Sequence, residues 1–166
     1  MHKIIGVMLI VSACTAFGVE KGRELSIHRK ELEELHRIFT YIQTELEYMR
    51  TPIGELFMKI KNKVDAAYQE WLEFLAENAQ NAHSRSFIEI WISSIDIHFK
   101  QSFLTKSQLE ELKQIGKNLS KPEAISIYLT QLENDIQNTR EEEKEKKKLY
   151  QSMGILTGIF LVLVLI

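Results

Sequence analysis

Residues 25–49 read LSIHRKELEELHRIFTYIQTELEYM, and the apolar side chains in this stretch fall at helical spacing. Leu25, Leu32, Leu35, Phe39, Ile42, Leu46 and Met49 are separated by threes and fours, with only His28 interrupting the series. A helix turns once every 3.6 residues, so these side chains share one face and form a seam roughly three and a half heptads long. At 1.5 Å per residue the helix runs on the order of 40 Å, from the start of the chain's polar middle to about Arg50. Such a seam has to be covered by other helices.

The rest of the middle supplies them. Thr51-Pro52 reads as a stop and restart, with Thr51 as N-cap and Pro52 in the first helical position. A second helix carries Ile53, Leu56, Phe57, Ile60 and Val64, and a third, from Ala66 to Ala79, carries Trp71, Leu72, Phe74 and Leu75. Asn78 to Ser86, rich in Asn, His and Ser, reads as a loop. Phe87, Trp91, Ile95 and His98 mark a fourth helical face. Thr105-Lys-Ser-Gln108 is a capping box opening a helix with Leu109, Leu112, Ile115 and Leu119 on one side. Ser120-Lys-Pro-Glu123 reads as a second capping box, starting a last helix with Ile125, Leu129, Leu132 and Ile136 at heptad spacing. The aromatic residues Trp71, Phe74, Phe87, Trp91 and Phe99 are read as core.

Composition agrees with an all-α protein. The 166 residues contain two prolines and seven glycines, too few to punctuate a sheet of short strands. The formal charge of -2 gives no global basic field of the kind that nucleic acid requires, and no nucleic-acid partner is expected. The single cysteine, Cys14, rules out an intramolecular disulfide.

Both ends are apolar. Ile4 to Val19 and Leu149 to Ile166 carry no charged side chain, and a span needs roughly 20 apolar residues with a lower limit near 17. The expected organisation is an N-terminal transmembrane segment at 1–20, a helical domain at 21–148 and a C-terminal transmembrane segment at 149–166. Lys21, Arg23, Arg29, Lys30 and Arg37 follow the first run, and Arg140, Lys144, Lys146, Lys147 and Lys148 precede the second. Basic residues favour the cytoplasmic side, so both segments place the middle inside and both ends outside. A rival reading takes the N-terminus as a signal peptide. In its sharper form Val11-Ser12-Ala13-Cys14 resembles a lipoprotein cleavage site, which makes the chain an exported lipoprotein with a helical envelope-assembly domain. A third reading is a coiled-coil signalling subunit whose helices transmit motion.

Gln137 to Lys148 contains no apolar residue, and no Pro or Gly interrupts Pro122 to Met153, so one helix can run on into the second apolar stretch. The charge run reads as a solvated face, with anionic lipid head groups on Lys144 to Lys148 as the alternative. If both terminal helices leave one membrane face antiparallel, residues at equal height have numbers summing to about 168. Leu32 then meets Ile136, Phe39 meets Leu129, Ile42 meets Ile125, and the two helices splay beyond Ile136.

Chemistry is not encoded in any recognisable pattern. Gly22, Gly54 and Gly116 are isolated, so no phosphate-binding loop exists. His28 and His36 share a helical face with Glu33 and Glu34 between them, which a solvated or partner-facing helix explains without a metal. His98 reads as a core or boundary residue. No catalytic, cofactor-binding or metal residue is assigned, and no enzyme activity, cofactor or small-molecule substrate is expected.

The order of these features resembles one family. It rests on the short apolar N-terminal run, Leu46-Glu-Tyr-Met-Arg-Thr51-Pro52-Ile53 after a Glu45-containing helix, and Trp91. It continues through Leu109-Glu-Glu-Leu-Lys-Gln-Ile-Gly116-Lys-Asn-Leu119, Leu129-Thr-Gln-Leu-Glu133, a charged helix and a glycine-containing apolar tail. Over nearly its whole length the chain is similar to the stage III sporulation protein AB family, components of the complex joining mother cell and forespore in endospore formers. The connection after Gly116 is shorter than the family's and carries Ser120-Lys-Pro122.

The resemblance implies a cytoplasmic domain like that of the type II secretion platform protein (the F-type fold). It also implies a place in the mother-cell membrane facing the forespore, and a non-enzymatic platform role in a secretion-like channel complex. The partners it implies are the lipid bilayer and other proteins of the stage III operon, including the ATPase stage III sporulation protein AA.

Overall fold

In the computed structural model, backbone is described for residues 2–48, 51–80 and 86–165. Side chains are described for residues 20, 22–47, 51–79, 86–146, 148, 149, 152 and 153. Six α-helices follow one another: α1 (His2–Tyr48), α2 (Ile53–Lys61), α3 (Ala66–Gln80), α4 (Phe87–His98), α5 (Lys106–Ile115) and α6 (Pro122–Leu165). A 3-10 turn, Gly116–Asn118, follows α5, and no strand occurs among the described residues. The chain forms two compact units, one of Lys30–Ile136 and one of Met1–Arg29 with Gln137–Ile166.

The unit of Lys30–Ile136 is a helical domain around one apolar core. Of the predicted seam on α1, Leu32, Leu35, Phe39 and Ile42 are buried, Leu25 and Leu46 are half-buried, and Met49 lies outside the described residues. Ile38 joins them, because α1 is packed over a wider arc than a two-column seam covers. Behind these stand Leu56, Phe57 and Ile60 of α2, Trp71, Leu72 and Leu75 of α3, and Ile90, Trp91 and Ile95 of α4. Leu112 and Ile115 of α5 and Ile125, Tyr128, Leu132 and Ile136 of α6 complete it.

On α6 the most buried place between Ile125 and Leu132 belongs to Tyr128, while the expected Leu129 is half-buried and also packs against the core. Both positions flank the line from Ile125 to Leu132, and Tyr128 takes the buried place by meeting Phe39 edge-on, ring centroids 4.7 Å apart. This ring pair lies one residue from the expected Phe39–Leu129 level.

The helix starts follow two rules. Thr105 caps α5 as predicted: its hydroxyl accepts from Gln108 N at 3.3 Å while the Gln108 amide oxygen accepts from Thr105 N at 3.0 Å. Thr51 does not cap α2. The N-cap is Pro52, whose carbonyl accepts from Leu56 N at 3.0 Å, and α2 begins at Ile53. Ser120 is likewise displaced. The Lys121 carbonyl accepts the first helical bond, from Ile125 N at 3.2 Å, so the cap position is Lys121 and Pro122 takes the first turn. Pro52 stands at the cap itself and Pro122 in the first turn, so each hydroxyl lies one residue outside its cap position. Of the loop expected from Asn78, the first three residues complete α3, Ser86 is the N-cap of α4, and 81–85 lie outside the described residues.

In the second unit, Arg29 Nε donates to Glu143 Oε2 at 2.9 Å, so α1 and α6 run side by side there. Thr139 is buried at 7 % exposure. The expected splaying beyond Ile136 is therefore corrected: burial and pairing on α6 continue past it. A hydroxyl with a methyl group and an ion pair maintain the packing where no apolar residue is available.

Candidate interaction surface

The domain's polar chemistry begins inside it. Trp71 Nε1 donates to Ser94 Oγ at 2.9 Å, and that hydroxyl donates to the Trp91 carbonyl at 2.7 Å. Trp91 Nε1 donates to the Leu112 carbonyl at 2.8 Å, reaching the last turn of α5. A Cβ added at Gly116 would overlap Trp91 Cδ1, so a glycine there lets the indole lie against the backbone. Trp71 meets Phe99 edge-on, ring centroids 5.0 Å apart, and Trp91 at a tilt, centroids 5.5 Å apart. Both indoles are buried and both N–H groups are bonded, so these residues are core, as expected.

Glutamates along α1 hold the connections between the other helices. Glu31 Oε2 accepts from Phe103 N at 2.8 Å, between α4 and α5. Glu34, 7 % exposed, accepts from Asp65 N at 2.6 Å and pairs with Arg37 at 3.2 Å. Glu45 Oε2 accepts from the Thr51 hydroxyl at 3.2 Å and pairs with Lys59 Nζ at 3.3 Å. Tyr41 lies under Lys63 Nζ, 5.1 Å from the ring centroid. Sequence reasoning passed over these glutamates. The signal available was an acidic residue at each edge of the seam, which spacing alone cannot distinguish from a solvated one.

Three side chains among the described residues have clearly shifted ionisation. Burial, with the Glu31, Glu34 and Asp65 carboxylates adding to it, pushes the Tyr68 phenol above its ordinary value. Burial does the same to Tyr128, with Glu111 and Asp135 nearby. Hydrogen bonds to Asp96 and Glu110 hold the Lys113 ammonium above its ordinary range. Tyr68 and Tyr128 are phenols packed into the domain, and Lys113 is a paired surface cation.

The residues singled out from the sequence do not converge on a site. His28 and His36 are half-buried on α1, and no group of three or more metal-binding side chains exists among the described residues. His98 sits at the core boundary, 5.5 Å from the Phe74 ring. The side chain of Cys14 lies outside the described residues.

What the domain does present is an outer surface with exposed apolar side chains. Ile97 and Phe103 stand 53 % and 43 % exposed at the end of α4 and just beyond it, on a segment whose backbone Glu31 holds. Exposed apolar side chains are the groups with which such a surface can contact another protein.

Among the described residues no helix is long and apolar enough to cross a membrane. The runs 4–19 and 149–166 fall outside the residues whose side chains are described, apart from Leu149, Ser152 and Met153.

The family model for stage III sporulation protein AB matches residues 3–166. The chain belongs to that family. It is 25 % identical over 178 aligned positions to stage III sporulation protein AB of Bacillus subtilis (strain 168), covering 99 % of each chain. No solved structure matches it. The stretches that carried the family resemblance are architectural in this chain. Leu46 to Ile53 contains the Thr51 that Glu45 holds, and Leu109 to Leu119 contains the carbonyl and the glycine on which Trp91 rests.

Proposed function

We propose that this sporulation protein is a non-enzymatic, two-pass membrane platform of the channel complex between mother cell and forespore. Residues 1–20 and 149–166 cross the mother-cell membrane facing the forespore, and the domain between them faces the cytoplasm. The observation that carries this reading is that both chain ends, each with its apolar run, belong to one compact unit, while Lys30–Ile136 forms a core of its own. Two helices of 47 and 44 residues, α1 and α6, lead from that domain into the apolar runs. The basic residues beside both runs favour the same, cytoplasmic side.

In this reading the domain resembles a type II secretion platform and works by position. Fixed at the membrane, it raises the local concentration of its partners, the ATPase stage III sporulation protein AA and the other membrane components of the operon. Ile97 and Phe103 are the contact points offered to a protein partner.

A strain lacking the chain, complemented with variants and scored for heat-resistant spores, tests the proposal. The full chain is expected to restore them, residues 21–148 alone to fail, and a reporter fused after Ile166 to read as extracytoplasmic. Restoration by 21–148, or a cytoplasmic reporter, rejects the platform reading.

A further inference from the structure

The charge of the chain is divided between its two units. Residues 30–136 hold twelve basic and seventeen acidic side chains, a net -5, whereas 1–29 with 137–166 hold nine and six, a net +3. Within the positive unit the surplus is local. Residues 20–24, next to the first apolar run, contain two acids and two bases and cancel. Residues 144–148, next to the second, read KEKKK and keep a net +3.

Geometry then separates these lysines. Lys146 is engaged by Glu142, one turn back, at 3.2 Å. Lys144 and Lys148 are exposed, and no ion pair among the described residues takes up either. Glu141 and Glu145 stand three residues before each of them and form no described pair with them. Lys144 and Lys148 are four apart, so they lie on one face of α6 about 6 Å apart along its axis. Like charges stacked in this way repel each other, and an anion between them relieves that repulsion. Lys148 immediately precedes the apolar run and Lys144 lies about 6 Å beyond it, inside a Debye length of about 8 Å at physiological salt. Arg29 lies about 15 Å along α1 from the first run and is already held by Glu143.

We infer that Lys144 and Lys148 form a binding face for the phosphate of an anionic phospholipid in the leaflet on the domain's side. The face orients α6 as it enters the bilayer and selects anionic over zwitterionic head groups. A soluble anion is a poorer occupant, because a lipid phosphate is concentrated in the head-group layer that the adjoining apolar run enters. The inference rests on the two-pass reading.

The test uses the full chain in phosphatidylcholine vesicles doped with spin-labelled phosphatidylglycerol or spin-labelled phosphatidylcholine, reading the fraction of label restricted at the protein. The full chain is expected to hold the anionic label on the order of 25-fold more strongly, a factor of roughly five for each of the two lysines. K144Q/K148Q should bring the two labels close to parity, as should 1 M salt on the unsubstituted chain. K106Q/K117Q, which removes two exposed lysines of the other unit, should leave the preference intact. Restricted label without any preference, or a preference that K144Q/K148Q leaves unchanged, overturns the inference and spares the two-pass reading. Equal loss in K106Q/K117Q overturns it too, since the effect would then be one of net charge. If neither label is restricted, the chain does not occupy the bilayer and the two-pass reading itself fails.

Discussion

The two units of the chain are held together by different means. Lys30–Ile136 closes on aromatic rings whose polar atoms are satisfied from within, as with Trp91 on the Leu112 carbonyl and Trp71 on Ser94. In the unit of the chain ends, the described contacts are polar, led by the Arg29–Glu143 pair. The first kind of packing is costly to disturb, because a buried ring fills volume that nothing else can fill. The second is inexpensive to disturb and sensitive to salt. Its consequence is that mutations in the domain report on folding, whereas mutations near residue 144 can report on function with the fold intact.

The largest effect expected from breaking this contrast is at Trp91. Trp91→Ala empties the centre of the domain and leaves the Leu112 carbonyl without its donor, so about 3–5 kcal/mol of stability should be lost. Denaturant unfolding of the full chain in micelles, followed by Trp71 fluorescence, measures it. A loss below about 1 kcal/mol would mean that the indole does not carry the packing at the centre of the domain.

Two glycines sharpen the same contrast. Gly116→Ala pushes a methyl group into the Trp91 ring and should destabilise by about 1–3 kcal/mol. At Gly22 nothing lies within 4 Å of the added carbon, so Gly22→Ala should stabilise α1 by about 0.5–1 kcal/mol. The check is the pair of unfolding midpoints, which should move in opposite directions. Movement in the same direction would show that space around the glycine is not what separates the two positions.

Thr105→Ala follows, with about 1 kcal/mol lost from the start of α5. Thr51→Ala should cost less in the same assay, since Thr51 holds a Glu45 contact and caps nothing. Equal losses at the two threonines would remove the distinction between a cap and a surface hydrogen bond.

These cases also mark what the sequence could reveal. The seam of Leu32, Leu35, Phe39 and Ile42 was legible because period 3.6 constrains every residue in it, and the Thr105 box because a capping box has a fixed four-residue form. Thr51 and Ser120 carried similar local chemistry, yet each lies one residue outside the cap position that its helix uses. Tyr128 is buried more deeply than Leu129 for a reason no window of α6 contains, namely the position of Phe39 some ninety residues earlier in the chain. Glu31, Glu34 and Glu45 looked like solvated helix surface until the loops they bind were in place. The candidate contact residues Ile97 and Phe103 were not legible either, since exposure is a property of the assembled domain.

The smallest effect expected is at Arg29 and Glu143, and it addresses the contrast most directly. Both side chains are about a quarter exposed, at 21 % and 28 %, and stand 114 residues apart in sequence. Water therefore screens them in part, and a coupling of roughly 0.2–1 kcal/mol is expected from a double-mutant cycle of Arg29→Gln and Glu143→Gln. That coupling should shrink as salt is raised from 0.05 to about 1 M, because the Debye length falls to about 3 Å. The Trp91→Ala loss should persist under the same change, since burial of an indole does not depend on ionic screening. A coupling above about 2 kcal/mol that ignores salt would mean the pair is effectively buried, and the two units would then be held by the same physics. No coupling at any salt would mean that the pair is incidental and that α1 and α6 are held side by side there by something else, with Thr139 the nearest buried side chain on α6.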